Sequence, residues 1–173
     1  GFLYKGFSTW QYALTQPGVV LHYLKLSVWP TALCLDYFWM PARHFNVIFF
    51  PLAVILVLIG WTFLQLKKNS PLGFLGVWFF VILSVSSSFI PIQDIAFEHR
   101  MYLSLAAVVM IVLLIVESGL NRFVGQPVKE KILVGVITVI AGILGFLTIH
   151  RNKDYRSEIA MWQDVTEKRP SNP

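Results

Sequence analysis

Long apolar runs constrain this chain more than any other feature of its sequence. A helix rises 1.5 Å per residue, so about 20 apolar residues cross the roughly 30 Å hydrocarbon core of a bilayer. Four stretches reach that length: residues 47–66 (VIFFPLAVILVLIGWTFLQL), 72–92, 99–118 and 131–149. The first, third and fourth are rich in Leu, Ile, Val and Phe, each of which favours insertion by about 0.3–0.6 kcal/mol near the bilayer centre. The second is weaker, because it runs into Ser84, Ser86, Ser87, Ser88 and Pro91. Hydroxyls in lipid need partners, so this end is expected to face other helices or an aqueous cavity. The sequence therefore predicts an all-α, polytopic membrane protein.

Composition agrees. With 56% hydrophobic and 13% charged residues among 173, there is too little polar surface to cover a soluble globule. The formal net charge of +5 would point to nucleic acid in a soluble domain. Here the bases sit in loops between apolar runs, where they set topology and meet anionic headgroups, which argues against a nucleic-acid partner. Cys34 is the single cysteine, so it forms no internal disulfide. No signal peptide precedes the spans, and the chain opens on GFLYKGF rather than on Met, so it reads as a piece of a longer protein.

Loop charge predicts orientation. Lys67 and Lys68 separate the first two spans, while Arg122, Lys129 and Lys131 separate the last two. Basic loops stay on the cytoplasmic side, which puts both chain ends and the 89–100 turn on the opposite face. The basic residues Arg151, Lys153 and Arg156 after the last span pull the other way. Three regions follow: 1–46, an interfacial helix and aromatic belt; 47–150, the spans; and 151–173, a soluble helical tail.

In the first region TQPGVVLHYLKLSVWP reads as a short amphipathic helix with Pro17 in its first turn and Pro30 as its stop. Val20, Leu21, Leu24 and Val28 share one face, and His22, Lys25 and Trp29 another. Tyr37, Phe38, Trp39 and Phe45 follow as an aromatic belt at headgroup depth. In the tail, Ile159, Trp162 and Val165 or Thr166 recur at near-helical spacing among charges, predicting a solvent-facing helix that ends at Pro170.

The candidate chemistry lies in FIPIQDIAFEHRMYLSLA, residues 89–106, which gathers Asp94, Glu98, His99 and Arg100 at a membrane boundary. Two readings compete. The charges are either interfacial anchors that snorkel to the surface, with Glu98 pairing a nearby base, or a phosphate site. In the second, Arg100 supplies a planar fork of donors, His99 a further donor, and Glu98 and Asp94 hold them in place. His22 and Lys25, one turn apart, offer a second basic pair to the same headgroup, unless they simply form a polar face in water. Asp94 and Glu98 could join a divalent cation only with carboxylates from elsewhere, and the scattered histidines make no ligand pattern. There is no GxSxG, P-loop or CxxC. Glu117 reads as a helix-end charge, and Gly135, Gly142 and Gly145 as small residues that admit a close helix neighbour.

The order LTQPGVVLHYL, LCLDY, FEHRMYL and then MWQDVTEKRPSNP resembles the membrane domain of the transmembrane and tetratricopeptide-repeat proteins, which are C-type glycosyltransferases. The resemblance covers essentially the whole chain. It implies transfer of a sugar from a polyprenyl-phosphate carrier to an acceptor, often a protein hydroxyl, on the non-cytoplasmic face. Glu98, His99, Arg100 and His22 match the family's turn and interfacial helix, with a role in binding the carrier phosphate. The family usually has Pro where this chain has Ser104. Its acidic catalytic motif has no counterpart here. The resemblance thus implies a C-terminal part of the membrane domain, with no catalytic residue of its own, further transmembrane helices upstream and helical repeats downstream. A non-catalytic membrane subunit or scaffold, and a lipid-linked oligosaccharide ligase or polymerase, are the rival expectations.

Overall fold

The structure is a computed structural model that describes residues 8–30, 33, 37, 39–42, 44–85, 87, 95–123, 125–153 and 155–168, with the backbone alone at 46, 158 and 160. Every regular element among the described residues is helical: α1 (Thr9–Val28), α2 (Phe45–Lys67), α3 (Pro71–Ser84), a 3₁₀ turn (Glu98–Met101) that leads into α4 (Tyr102–Leu120), α5 (Gln126–Arg151) and α6 (Glu158–Lys168). Three segments are long and apolar enough to cross a membrane: Val47–Lys67, Glu98–Leu120 and Gln126–Arg151. They indicate an integral membrane protein. The stretch expected as a second span, 72–92, begins as the 14-residue α3, about 21 Å long. Much of its remainder, including 88–94, lies outside the described residues, as do Cys34, Asp36 and Phe38.

α1 corrects the expected helix start. Ser8 accepts the Gln11 N–H at 3.1 Å, and its own N–H donates to Gln11 Oε1 at 3.0 Å, a reciprocal cap that begins the helix two turns before Pro17. Pro17 therefore sits inside the helix, where it has no N–H for the Ala13 carbonyl. The packed face also differs from the apolar stripe expected. It consists of Tyr12, Thr15, Gln16, Val19, Val20 and Tyr23, while Val28 is exposed. Polar and aromatic side chains, rather than aliphatic ones alone, are what α1 buries.

The chain divides into two compact units, Gly1–Ile111 and Val112–Pro173, the division falling within α4. In the first, α2 packs against both α1 and α3. α2 and α3 form a hairpin whose turn places Asn69 at φ 51°, in the left-handed region that Asn tolerates. Ser70 caps α3 by accepting the Leu72 N–H, and Pro71 occupies its first turn. The approach of the two helices depends on glycine. A Cβ at Gly73 would lie 2.5 Å from the Leu66 backbone nitrogen, and one at Gly76 2.5 Å from Thr62 Oγ1. Trp78 completes the packing by donating its indole N–H to the Leu103 carbonyl at 3.2 Å.

In the second unit Lys129, expected in a loop, lies on α5 and is 5% exposed; its ammonium bonds Glu117 Oε1 at 3.1 Å and Asn121 Oδ1 at 2.9 Å. Glu117 is thus a partner for a buried lysine as well as a helix-end charge. α6 is tied to the end of α5 by Arg151, which bonds Asp164 at 2.7 Å, with Lys168 on the other carboxylate oxygen at 2.6 Å. Val165 is buried, whereas Ile159 and Trp162 remain exposed. Gly135, Gly142 and Gly145 have open space around them, so among the described residues no helix neighbour occupies that stripe.

Candidate functional site at the base of helix α4

The residues that start α4 are gripped by α1. Tyr12 and Tyr23 lie 11 positions apart on one stripe of that helix and are both fully buried. Tyr12 hydrogen-bonds the Arg100 guanidinium. Tyr23 accepts the Phe97 backbone N–H at 2.8 Å. Burial pushes both phenols above their ordinary range, only partly opposed by the neighbouring Arg100 and, for Tyr23, by the Phe97 N–H. A third tyrosine, Tyr37, donates to Glu98 Oε1 at 2.5 Å. Ala42 closes the near side, its N–H donating to Thr15 Oγ1 at 2.9 Å while Thr15 itself donates to the Gln11 carbonyl. Both α2 and α4 thus begin beside residues fastened to α1.

Arg100 occupies the centre of this arrangement. It is half-buried, donates from Nη1 to the Ile95 carbonyl at 3.2 Å, and lies over the Phe97 ring at 5.7 Å. Ile95, Ala96 and Met101 wall the turn with apolar atoms, each less than a tenth exposed. A guanidinium with a rigid fork of five donors, held at the first turn of a membrane-spanning helix, suits a phosphate ester at headgroup depth.

The other residues expected at the site separate into two groups. His22 packs within it, its ring 5.0 Å from those of both Tyr37 and Trp39. Tyr37, expected in an aromatic belt, is instead 3% exposed and covers this imidazole. Phe45 is exposed and stacks on Phe49. His99 and Lys25 are exposed, the His99 ring lying against Phe97. Glu98 points to Tyr37, and Asp94 lies outside the described residues. No group of three or more His, Cys, Asp or Glu side chains suited to a metal ion occurs among the described residues.

Tyr12, Gln16, Tyr23 and Tyr37 join the site without having been expected there. The first three share the stripe i, i+4, i+11, which is visible in the sequence once the helix is started from the SxxQ cap at Ser8. Ser104, one turn beyond Arg100, is fully buried. The chain matches no protein-family model, and neither a curated protein nor a solved structure is similar to it at a significant level.

Proposed function

We propose that this chain is the carrier-facing part of a membrane glycosyltransferase that moves a sugar from a polyprenyl phosphate to an acceptor hydroxyl on the non-cytoplasmic face. The observation that carries the reading is Arg100, set half-buried at the start of a spanning helix and fixed by Tyr12 and the Ile95 carbonyl. In the reaction the acceptor oxygen attacks the anomeric carbon, and the bond to the phosphate oxygen breaks with its electron pair. A guanidinium already oriented stabilises the charge that grows on that phosphate. His99 and Lys25, both exposed, supply further hydrogen-bond donors to the headgroup, and His22 and Glu98 steady the turn. The carboxylate that takes the acceptor proton is assigned to transmembrane segments outside this chain, and helical repeats would follow it.

The same reading includes a fourth span, with α3 continuing through the residues after Ser84, and an interfacial position for α1. Lys67, Lys68, Arg122 and Lys131 then mark the cytoplasmic side, and both ends of the chain lie opposite. A scaffold role is favoured by one observation, the apolar surface of α5, which is exposed on every side and suits packing against other subunits. Arg100→Ala separates the two. In the full-length protein it is expected to abolish transfer from a polyprenyl-phosphate sugar while the amount in the membrane stays constant. Unaltered transfer would remove the transferase assignment.

A further inference from the structure

Between the two tyrosines that hold the 97–100 turn lies Gln16. It is 4% exposed, and both polar atoms of its side chain, Nε2 and Oε1, are buried without a hydrogen-bond partner among the described residues. Leaving an amide in that condition costs about 1–3 kcal/mol, which a packing role alone does not return. Its placement is defined by its neighbours. Gln16 follows Tyr12 by one turn and precedes Tyr23 by two, so its side chain leaves α1 on the stripe that faces Arg100 at one end and Phe97 at the other. Tyr23 adds to the same interior. Its oxygen accepts from Phe97, and its own O–H donates to no described residue.

Resting on the reading of Arg100 as the phosphate contact, we infer that Gln16, with the Tyr23 hydroxyl, binds the sugar hydroxyls of the polyprenyl-phosphate donor. The chemistry selects a hydroxyl over a second phosphate oxygen. A carboxamide presents a donor and an acceptor side by side, and an alcohol satisfies both at once, whereas a phosphate oxygen would meet Oε1 with like charge. Arg100 then holds the anion, and Gln16 reads what the anion carries. Gln16 is 4% exposed, so the sugar reaches it when the side chains around the amide give way.

The test uses the full-length protein in detergent, with Gln16→Leu and the near-isosteric Gln16→Met. Thermal unfolding comes first: removing an amide that bonds nothing in the fold leaves the melting temperature unchanged or raises it. Protection is then titrated with polyprenyl phosphate and with polyprenyl phosphate bearing one hexose, mannose and glucose in turn. The sugar-free carrier is expected to bind wild type and both variants alike, while at least one sugar-bearing carrier binds the variants about tenfold more weakly. Three results overturn the inference: a melting temperature several degrees lower or loss of folding in both variants, equal weakening of all carriers, or no weakening of any. If no carrier protects the wild type, the phosphate reading of Arg100 falls and the sugar contact falls with it.

Discussion

The two units of this chain have similar apolar helices and use them differently. In the first, α2 meets α1 and α3 closely enough that Gly73 and Gly76 have no room for a side chain, and a polar cluster is sealed where α1 crosses the base of α4. In the second, the apolar stretch of α5 is unburied, and the contacts that define the helix ends are ionic: Lys129 with Glu117, and Arg151 with Asp164. Hydrophobicity thus accounts for membrane residence in both but for helix pairing in neither. Between helices in lipid, the chain's apolar side chains gain little over lipid itself, so close approach of small residues and satisfied polar groups decide what pairs.

The largest effect that would test this contrast comes from the glycines. Gly73→Ala is expected to cost about 3 kcal/mol in detergent unfolding, because the added methyl meets the Leu66 backbone, which has nowhere to move. The same change at Gly142 has open space and should be neutral or stabilise by up to about 1 kcal/mol through helix propensity. Equal responses at the two positions would erase the distinction between the units. The polar clasp comes next. Tyr12→Phe removes a bond to a guanidinium and should cost about 2 kcal/mol, and Tyr23→Phe, which leaves the Phe97 N–H without its acceptor, about 1 kcal/mol. If both are silent in the same unfolding assay, the grip of α1 on the turn is not what holds it.

The smallest effect belongs to the ionic end of the second unit. Burial acts to raise the Asp164 carboxyl, but bonds from Lys168 and Arg151 more than offset it and bring it below its ordinary value of 3.8. A carboxylate depressed in the folded state contributes stability above its unfolded value and loses it as pH falls through the folded one. Amide exchange in α6, taken relative to the intrinsic rate at each pH, should therefore stay slow at neutral pH and accelerate below about pH 4. Asp164→Asn should accelerate it at neutral pH and flatten the acid dependence. An unchanged acid profile in that variant would show that α6 is held by Val165 packing alone.

How far the sequence disclosed all this follows from what each level of structure depends on. The spans at 47–66, 99–118 and 131–149 correspond to the three long apolar segments because length and transfer free energy are local properties that need no partner. Pro17 misplaced the start of α1, since a proline is a strong local signal, while the Ser8–Gln11 cap that overrode it is a weaker one. Arg100 was legible as a candidate because a charge at a span boundary is conspicuous. Tyr12 and Gln16 were not, since nothing about a tyrosine or a glutamine at that position reveals that residues 97–100 will pack on it. The glycines show the same limit. Those in α5 drew attention by their spacing, yet the pair that permits contact is in α3, where only the neighbouring α2, through its backbone at Leu66 and the Thr62 side chain, makes them necessary.

The turn between α2 and α3 has a consequence for how the protein is made. Only residues 68–70 separate the helices, and their backbone is already committed to closing one and capping the other. No slack remains for the two helices to be placed independently. Whatever position α2 takes on leaving the insertion machinery, α3 must follow as the other arm of one hairpin, so the placement of the shorter helix is set by the longer one rather than by its own length.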